Sequence, residues 1–230
     1  AGLKVAQARE KILELLKEKG LLRNQKQIIH TVNIHERCSK EIEYTVLKQW
    51  FLNILDHKEI FLDLADKINW YPSFMKARYI DWVKHISWDW CLSRQRFYGI
   101  PFPAWHCQEC QQILLARIED LPIDPQETSY SGSCSNCKGS KIIPDTDVMD
   151  TWNTSSLTPY ICISLLRGES EGLLDKKIAE LPMSMRPQAH DIIRTWAFYT
   201  IVKTWMHHNS IPWHNIVISG HVLSESKEKL

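Results

Sequence analysis

Four cysteines stand in two identical pairs, Cys107-x-x-Cys110 and Cys134-x-x-Cys137. Two residues between thiols let both sulfurs of one turn face the same ion, and two such pairs complete a tetrahedral four-thiolate set. Zinc is the ion that spacing suits. Its role would be structural, because four thiolates leave no position for a substrate. His106, beside the first pair, is an alternative ligand, and the competing reading is two unrelated thiol pairs. His35 and Cys38, in His-Glu-Arg-Cys, are half of a second ligand set. Cys91 and Cys162 lie in apolar runs and read as buried free thiols.

A second stretch carries a carboxylate in a telling place. In MRPQAHDIIRTWAFY, residues 185–199, a proline is followed by His190, Asp191 and then Ile192, Ile193, Trp196 and Phe198. The spacing predicts a helix from about Asp191 to His208. Asp191 at its start suits an N-cap, whose side chain accepts a backbone N–H. The same carboxylate at the helix mouth also suits a grip on a bound ligand, and the two roles are compatible. Ideal helix geometry sets Trp196 about 140° around the axis from Asp191.

These groups need a scaffold. The 230 residues are 44% hydrophobic and 24% charged, enough for a sizeable core. A net charge of +1 gives no global argument for nucleic acid. No run of about 18 apolar residues suggests a membrane span, and the first twenty residues lack a signal peptide's apolar centre. The expected location is the cytoplasm, where thiols stay reduced and serve as ligands.

Residues 3–19 predict an amphipathic helix stopped by Gly20. Residues 28–38 and 42–51 alternate β-branched and polar residues and predict strands. Residues 56–86 have helical spacing broken at Tyr71-Pro72, and residues 87–107 read as strand-like. The segment 106–141 is rich in Cys, Ser, Gly and Asp and cannot build a core alone, which fits a module folded by its metal. Residues 145–156 resume a buried strand and turn, 164–174 read as a loop, and 211–223 read as a turn into an apolar strand. Strands alternating with helices around an inserted module predict an α/β domain with a parallel sheet.

The stretches WDWCLSRQRFYGIPFPAW, DVMDTWNTSS, MRPQAHDIIRTWAFY and ISGHVL, in that order, resemble the class I aminoacyl-tRNA synthetases of the valine, isoleucine and leucine group. The third is most like the valine branch. The resemblance spans essentially the whole chain. It implies the second half of a Rossmann-type class I catalytic domain with an inserted small zinc-binding module. On that map residues 1–45 end an editing insertion, 46–105 re-enter the catalytic region, 106–141 are the zinc insertion, and 142–230 are the C-terminal half of the nucleotide-binding fold.

The implied chemistry is activation of valine with ATP and Mg, then transfer to the 3′ end of tRNA(Val), by a cytoplasmic monomer. The resemblance assigns Trp152, Asp191, Ile192 and Trp196 to the amino acid. It assigns Ala189, His190, Gly220, His221, Val222 and Leu223 to ATP, with Ala189 standing where relatives often have Gly. Arg94 and Arg96 are candidates for RNA phosphates, or for a solvated basic edge. The family's HIGH-type histidine motif and the body of the editing domain are absent from these residues. Lys229 is a candidate start of the KMSKS-type second signature, so the chain alone is expected to be inactive. An isoleucine-branch fragment, a zinc-ribbon module that binds RNA or protein, and a regulatory pseudo-synthetase are the alternatives.

Overall fold

The computed structural model describes residues 2–35, 38–168 and 178–226. Lys229 lies outside them. The chain forms two compact units that divide between Leu47 and Lys48.

The first unit holds one helix, α1 (Val5–Glu18). Its end follows from residue types. Gly20 adopts φ +65°, and the backbone N–H groups of Gly20 and Leu21 donate to Lys17 and Leu16 carbonyls, a Schellman closure that satisfies the last turn. None of its residues is buried. The strands predicted over 28–38 and 42–51 are not formed as such: among the described residues Ile34 makes an isolated bridge to Glu41, and only Phe51, at the end of the second stretch, enters a strand. β-branched alternation favours extended backbone, but a strand persists only with a neighbour to pair and a face to bury.

In the second unit the chain runs through β1 (Phe51–Leu52), α2 (Lys58–Asp66), β2 (Asn69–Tyr71), α3 (Lys76–His85), β3 (Trp90–Cys91), β4 (Ser93–Arg94), β5 (Ala104–Cys107), β6 (Ile113–Leu115), β7 (Ile142–Pro144) and β8 (Val148–Met149). It continues through α4 (Thr151–Ser155), α5 (Thr158–Arg167), β9 (Met183–Ala189), α6 (Phe198–His208) and β10 (Trp213–Ser219). The central sheet has the order β2-β10-β9, with both pairings parallel. A separate antiparallel sheet, β6-β5-β7, carries the cysteine module. β1 pairs with β3 and β4 with β8, both antiparallel. The α5 helix extends to Arg167, so residues 164–167 are helical where a loop was expected. Cys162 is exposed on α5 and Cys91 is half-buried, so neither is the buried thiol that its apolar surroundings suggested.

The core sits between the parallel sheet and its helices. Phe198 is completely buried, with the rings of Phe61, Tyr79 and Trp82 at 5.8, 5.9 and 6.4 Å. Trp90 stacks on Tyr199 at 3.7 Å and 8°. α6 ends where Asn209 takes a left-handed conformation, φ 51° and ψ 40°, and donates its backbone N–H to Trp205. Because Phe198 is touched by three rings from α2 and α3, its truncation leaves a cavity that no single side chain can fill. Phe198→Ala is expected to lower unfolding free energy by about 3–5 kcal/mol and Phe198→Leu by clearly less, measured by urea denaturation followed by circular dichroism.

Candidate functional site

β9 and β10 run parallel with Ala189 opposite Ser219, so the chain leaves both strands side by side. A helical segment returns from one strand to the other, making a βαβ unit. In such sheets ligands bind outside the carboxyl ends of the strands. Ala189, His190, Gly220 and His221 all lie at that edge. The His190 and His221 rings are 4.4 Å apart, and His190 Nδ1 is 3.4 Å from the Ser219 carbonyl. Val222 and Leu223 follow and are exposed.

The helix does not start at Asp191. A 3₁₀ turn covers His190–Ile192, a π turn covers Ile193–Ala197, and α6 follows. Ala189 is the residue that precedes the first turn, with extended backbone, and no side chain caps it. Asp191 is therefore an acidic residue within the first turn and not the N-cap. An i→i+5 turn also brings residues five apart closer to one line than an α-helix does, which narrows the 140° separation expected between Asp191 and Trp196. A cavity of about 580 Å³ opens beside Asp191, lined also by His190, Ile193 and Arg194 and by Arg78, Trp82 and His85 of α3. Trp152 and Trp196 do not line it.

Those two indoles are linked elsewhere. Trp196 Nε1 donates to the Ser155 carbonyl at 2.9 Å, and Ser155 lies three residues after Trp152 on α4. Ile192, the last residue of the 3₁₀ turn, is half-buried. Two buried charges that sequence reasoning left aside surround this region. Asp150 caps α4 by accepting from the Trp152 N–H, accepts from Trp90 Nε1 at 2.9 Å, and pairs with Arg94 at 3.1 Å. Arg94 thus has an internal partner and also donates to the Cys91 and Ser93 carbonyls. Arg186, buried on β9, lies over the faces of Trp196 and Trp213.

The four paired cysteines converge. Their sulfurs lie within 4.8 Å of one another, with Cys107 to Cys137 and Cys110 to Cys134 each at 3.5 Å. A tetrahedron with metal–sulfur bonds of about 2.3 Å has sulfur–sulfur edges of about 3.8 Å, so the set fits such an ion. The two pairs have one backbone geometry. Gln111 and Lys138, each directly after the second cysteine, have φ 63° and 62° and donate their N–H to the Cys107 and Cys134 carbonyls at 2.9 Å. The Gln112 backbone pulls the Cys110 thiol down to about 6. At Cys137 the Gly139 backbone bond acts downward, but the neighbouring sulfurs, Cys110 foremost, and burial push the thiol up to about 12. Four thiols this close cannot all ionise without a cation among them. His106 bonds Asp145 at 2.8 Å and is not in the cluster. His35 and Cys38 find no third ligand group among the described residues.

The model of the class I tRNA synthetases (I, L, M and V) matches residues 3–230, and the chain belongs to that family. The valine–tRNA ligase of Thermoplasma volcanium is 45% identical over 229 residues, covering 100% of this chain and 28% of the relative. That of Rickettsia felis is 44% identical over 232 residues, covering 100% and 26%. The chain thus spans little more than a quarter of the length of these curated relatives. Among solved structures, a methionyl-tRNA synthetase of Mycobacterium tuberculosis bound by methionyl-adenylate has a TM-score of 0.52 at 15% identity, covering 88% of this chain and 32% of that one. The LeuRS of Agrobacterium radiobacter K84, in a ternary complex with tRNA and LeuAMS, has a TM-score of 0.50 at 22% identity, covering 62% and 20%. These two show the fold: a class I synthetase catalytic domain of mixed α/β content. No described helix is long and apolar enough to cross a membrane.

Asp145 ties the cysteine module to its neighbours, accepting from His106 and from Trp50 Nε1, each at 2.8 Å. Burial raises its carboxyl pKa, but His106, the Asp147 N–H and Trp50 together bring it below the usual carboxylate range. A carboxyl with a lowered folded-state pKa stabilises the fold above its unfolded value and loses that contribution as pH falls through the folded one. The stability gap between wild type and Asp145→Asn is therefore expected to be full at neutral pH and to shrink as pH falls below about 4, read from denaturant midpoints at each pH.

Proposed function

We propose that this chain is the central part of a valine–tRNA ligase, carrying one wall of the valine pocket and the adenine side of the ATP site. Two things support the reading: relatives of that name match the chain from end to end, and the parallel strand ends gather Ala189, His190, Gly220 and His221 at the lip where a helical segment begins, with Asp191 in its first turn. The isoleucine branch and a free-standing zinc ribbon are less favoured, because neither accounts for those relatives. The domain map is residues 1–45 from the end of an editing insertion, 46–105 as catalytic re-entry, 106–141 as zinc insertion, and 142–230 as the second half of a Rossmann-type nucleotide-binding fold.

In this reading the valine isopropyl group meets Trp152, Ile192 and Trp196, whose apolar surfaces shape a slot without polar atoms inside it. The Asp191 carboxylate holds the substrate's ammonium at the positive end of the helical segment. ATP lies across the carboxyl ends of β9 and β10, with His190 and His221 toward the ribose and phosphates and the backbone at Gly220, Val222 and Leu223 framing the base. The carboxylate of valine then attacks the α-phosphate and displaces pyrophosphate to give valyl-adenylate, and the acyl group passes to a 3′-terminal ribose hydroxyl of tRNA(Val) with release of AMP. Mg and the two signature motifs supply the charge stabilisation, with Lys229 the proposed start of the second. Catalysis of this kind rests on positioning, so the chain by itself is inactive.

Valine-dependent ATP–pyrophosphate exchange by the full-length protein tests the assignment. Exchange with isoleucine instead would replace it, and turnover by residues 1–230 alone would refute the division of labour. Asp191→Asn in the full-length protein is expected to raise KM for valine about tenfold or more, as a charged hydrogen bond to the ammonium is weakened.

The cysteine cluster is proposed to hold one structural zinc through Cys107, Cys110, Cys134 and Cys137. Thiolate ligation means that metal affinity falls with pH. Elemental analysis of freshly purified protein is expected to find one zinc per chain. Cys134→Ser should lower that occupancy and unfold residues 106–141, seen as new protease cleavage there; a metal-free wild type of unchanged protease resistance would overturn the site.

A further inference from the structure

Arg186 has no obvious reason to be where it is. It is only 5% exposed, on β9 opposite Ile216 of β10, and its Nη1 is buried without a hydrogen-bond partner among the described residues. No carboxylate among those residues forms an ion pair with it. A buried guanidinium nitrogen lacking an acceptor is costly, so the position demands another favourable contact. That contact is aromatic on both sides. The guanidinium carbon lies 3.6 Å from the centroid of the Trp196 ring and 4.8 Å from that of Trp213. Trp213 is 1% exposed and belongs to the core.

We infer that Arg186 is a positioning residue for the amino-acid pocket: its planar guanidinium, wedged against the fixed indole of Trp213, sets the plane of the Trp196 indole. The inference rests on the valine-ligase reading above. Trp196 needs such a device because it sits on a π turn, where the backbone departs from α geometry and does not by itself fix a ring's direction. Three contacts then define that ring: Arg186 over its face, and the Ser155 carbonyl and the Thr158 hydroxyl at its Nε1. Ser155 shares α4 with Trp152, so the position of one indole is referred to the element that carries the other. A guanidinium stacks flat on an indole in a way that an ammonium cannot, so lysine is not an equivalent.

The test uses the full-length ligase with its metal, in valine-dependent pyrophosphate exchange. Arg186→Met, which keeps the length of the stem, is expected to raise KM for valine about tenfold while KM for ATP is unchanged and kcat moves by less than about threefold. The kcat/KM preference for valine over alanine should fall by a similar factor. Arg186→Lys should resemble Arg186→Met more than the wild type. A merely structural arginine would lower the fraction of active enzyme, counted by active-site titration, and leave KM and the preference intact; that result overturns the inference. Should Arg186→Met fail to fold, the same measurements on Arg186→Lys decide the matter, with the same rise in KM expected and the same unchanged KM overturning the inference. If the wild type exchanges with isoleucine in place of valine, the substrate assignment falls, and the same KM and preference measurements with isoleucine still decide the role of Arg186.

Discussion

The register between β9 and β10 is the constraint on which the site depends. Ser219 faces Ala189 across a parallel pairing, so two chain segments leave the sheet at one level and His190 meets His221. Side chains alternate along a strand, so a slip of one residue would turn Arg186 and Gln188 from the core face to the open one. Arg186 would then leave Trp213 and Trp196, and the helical segment would start from the wrong height. Burial of Ile216 and Ile218 on β10, beside Arg186 and Gln188 on β9, holds that register in place. Phe198, three residues from Ile201 and four from Val202, locks the returning helix onto the same face.

The parts of this arrangement that depend on local chemistry were legible from residue types. Gly20 announced the end of α1 because a left-handed position after a helix favours glycine. The paired Cys-x-x-Cys spacing announced a cluster because the knuckle turn is local to each pair. What depended on distant partners was not legible. Residues 28–38 and 42–51 have strand-like alternation, yet a strand is defined by a neighbour and no local pattern supplies one. Cys162 lies in an apolar run, but its side of α5 is open. The π turn left no signature, since Ile-Arg-Thr-Trp-Ala is compatible with an α-helix. Arg186 and Asp150 were invisible for a related reason: a charge in sequence reads as surface until the fold shows what surrounds it. A hint existed for Asp150, because Asp before Thr-Trp-Asn suits an N-cap.

The cysteine module reaches the same end by a different route. Its buried cluster consists of Trp105, Leu114, Cys107 and Cys134, too little apolar surface to offset the ordering of some forty residues. The missing stabilisation must come from the sulfurs. Two matched knuckles present them at tetrahedral spacing, and the opposed displacements of the Cys110 and Cys137 thiols are what crowding does to ionisable groups with no cation among them. The sheet β6-β5-β7 then carries His106 to Asp145, and Asp145 receives Trp50, so the module is seated by a buried polar contact as well as by chain continuity.

Asp191 is the residue whose two readings the structure separates. An N-cap side chain acts from the residue before the first turn, and that residue is Ala189, which has no side chain able to cap. Asp191 lies two residues further in, so capping does not explain it. An acidic group in a first turn gains about 0.3–1 kcal/mol from the helix dipole, and many residues could be replaced there at little loss. What that position does provide is a carboxylate held at the lip of the parallel sheet, next to His190 and over a cavity also bordered by Arg194 and Arg78. Asp81 lines the same cavity, so two carboxylates and two arginines border it. The same first turn leads directly into the π turn that carries Trp196, so Asp191 and Trp196 stand on consecutive turns of one segment.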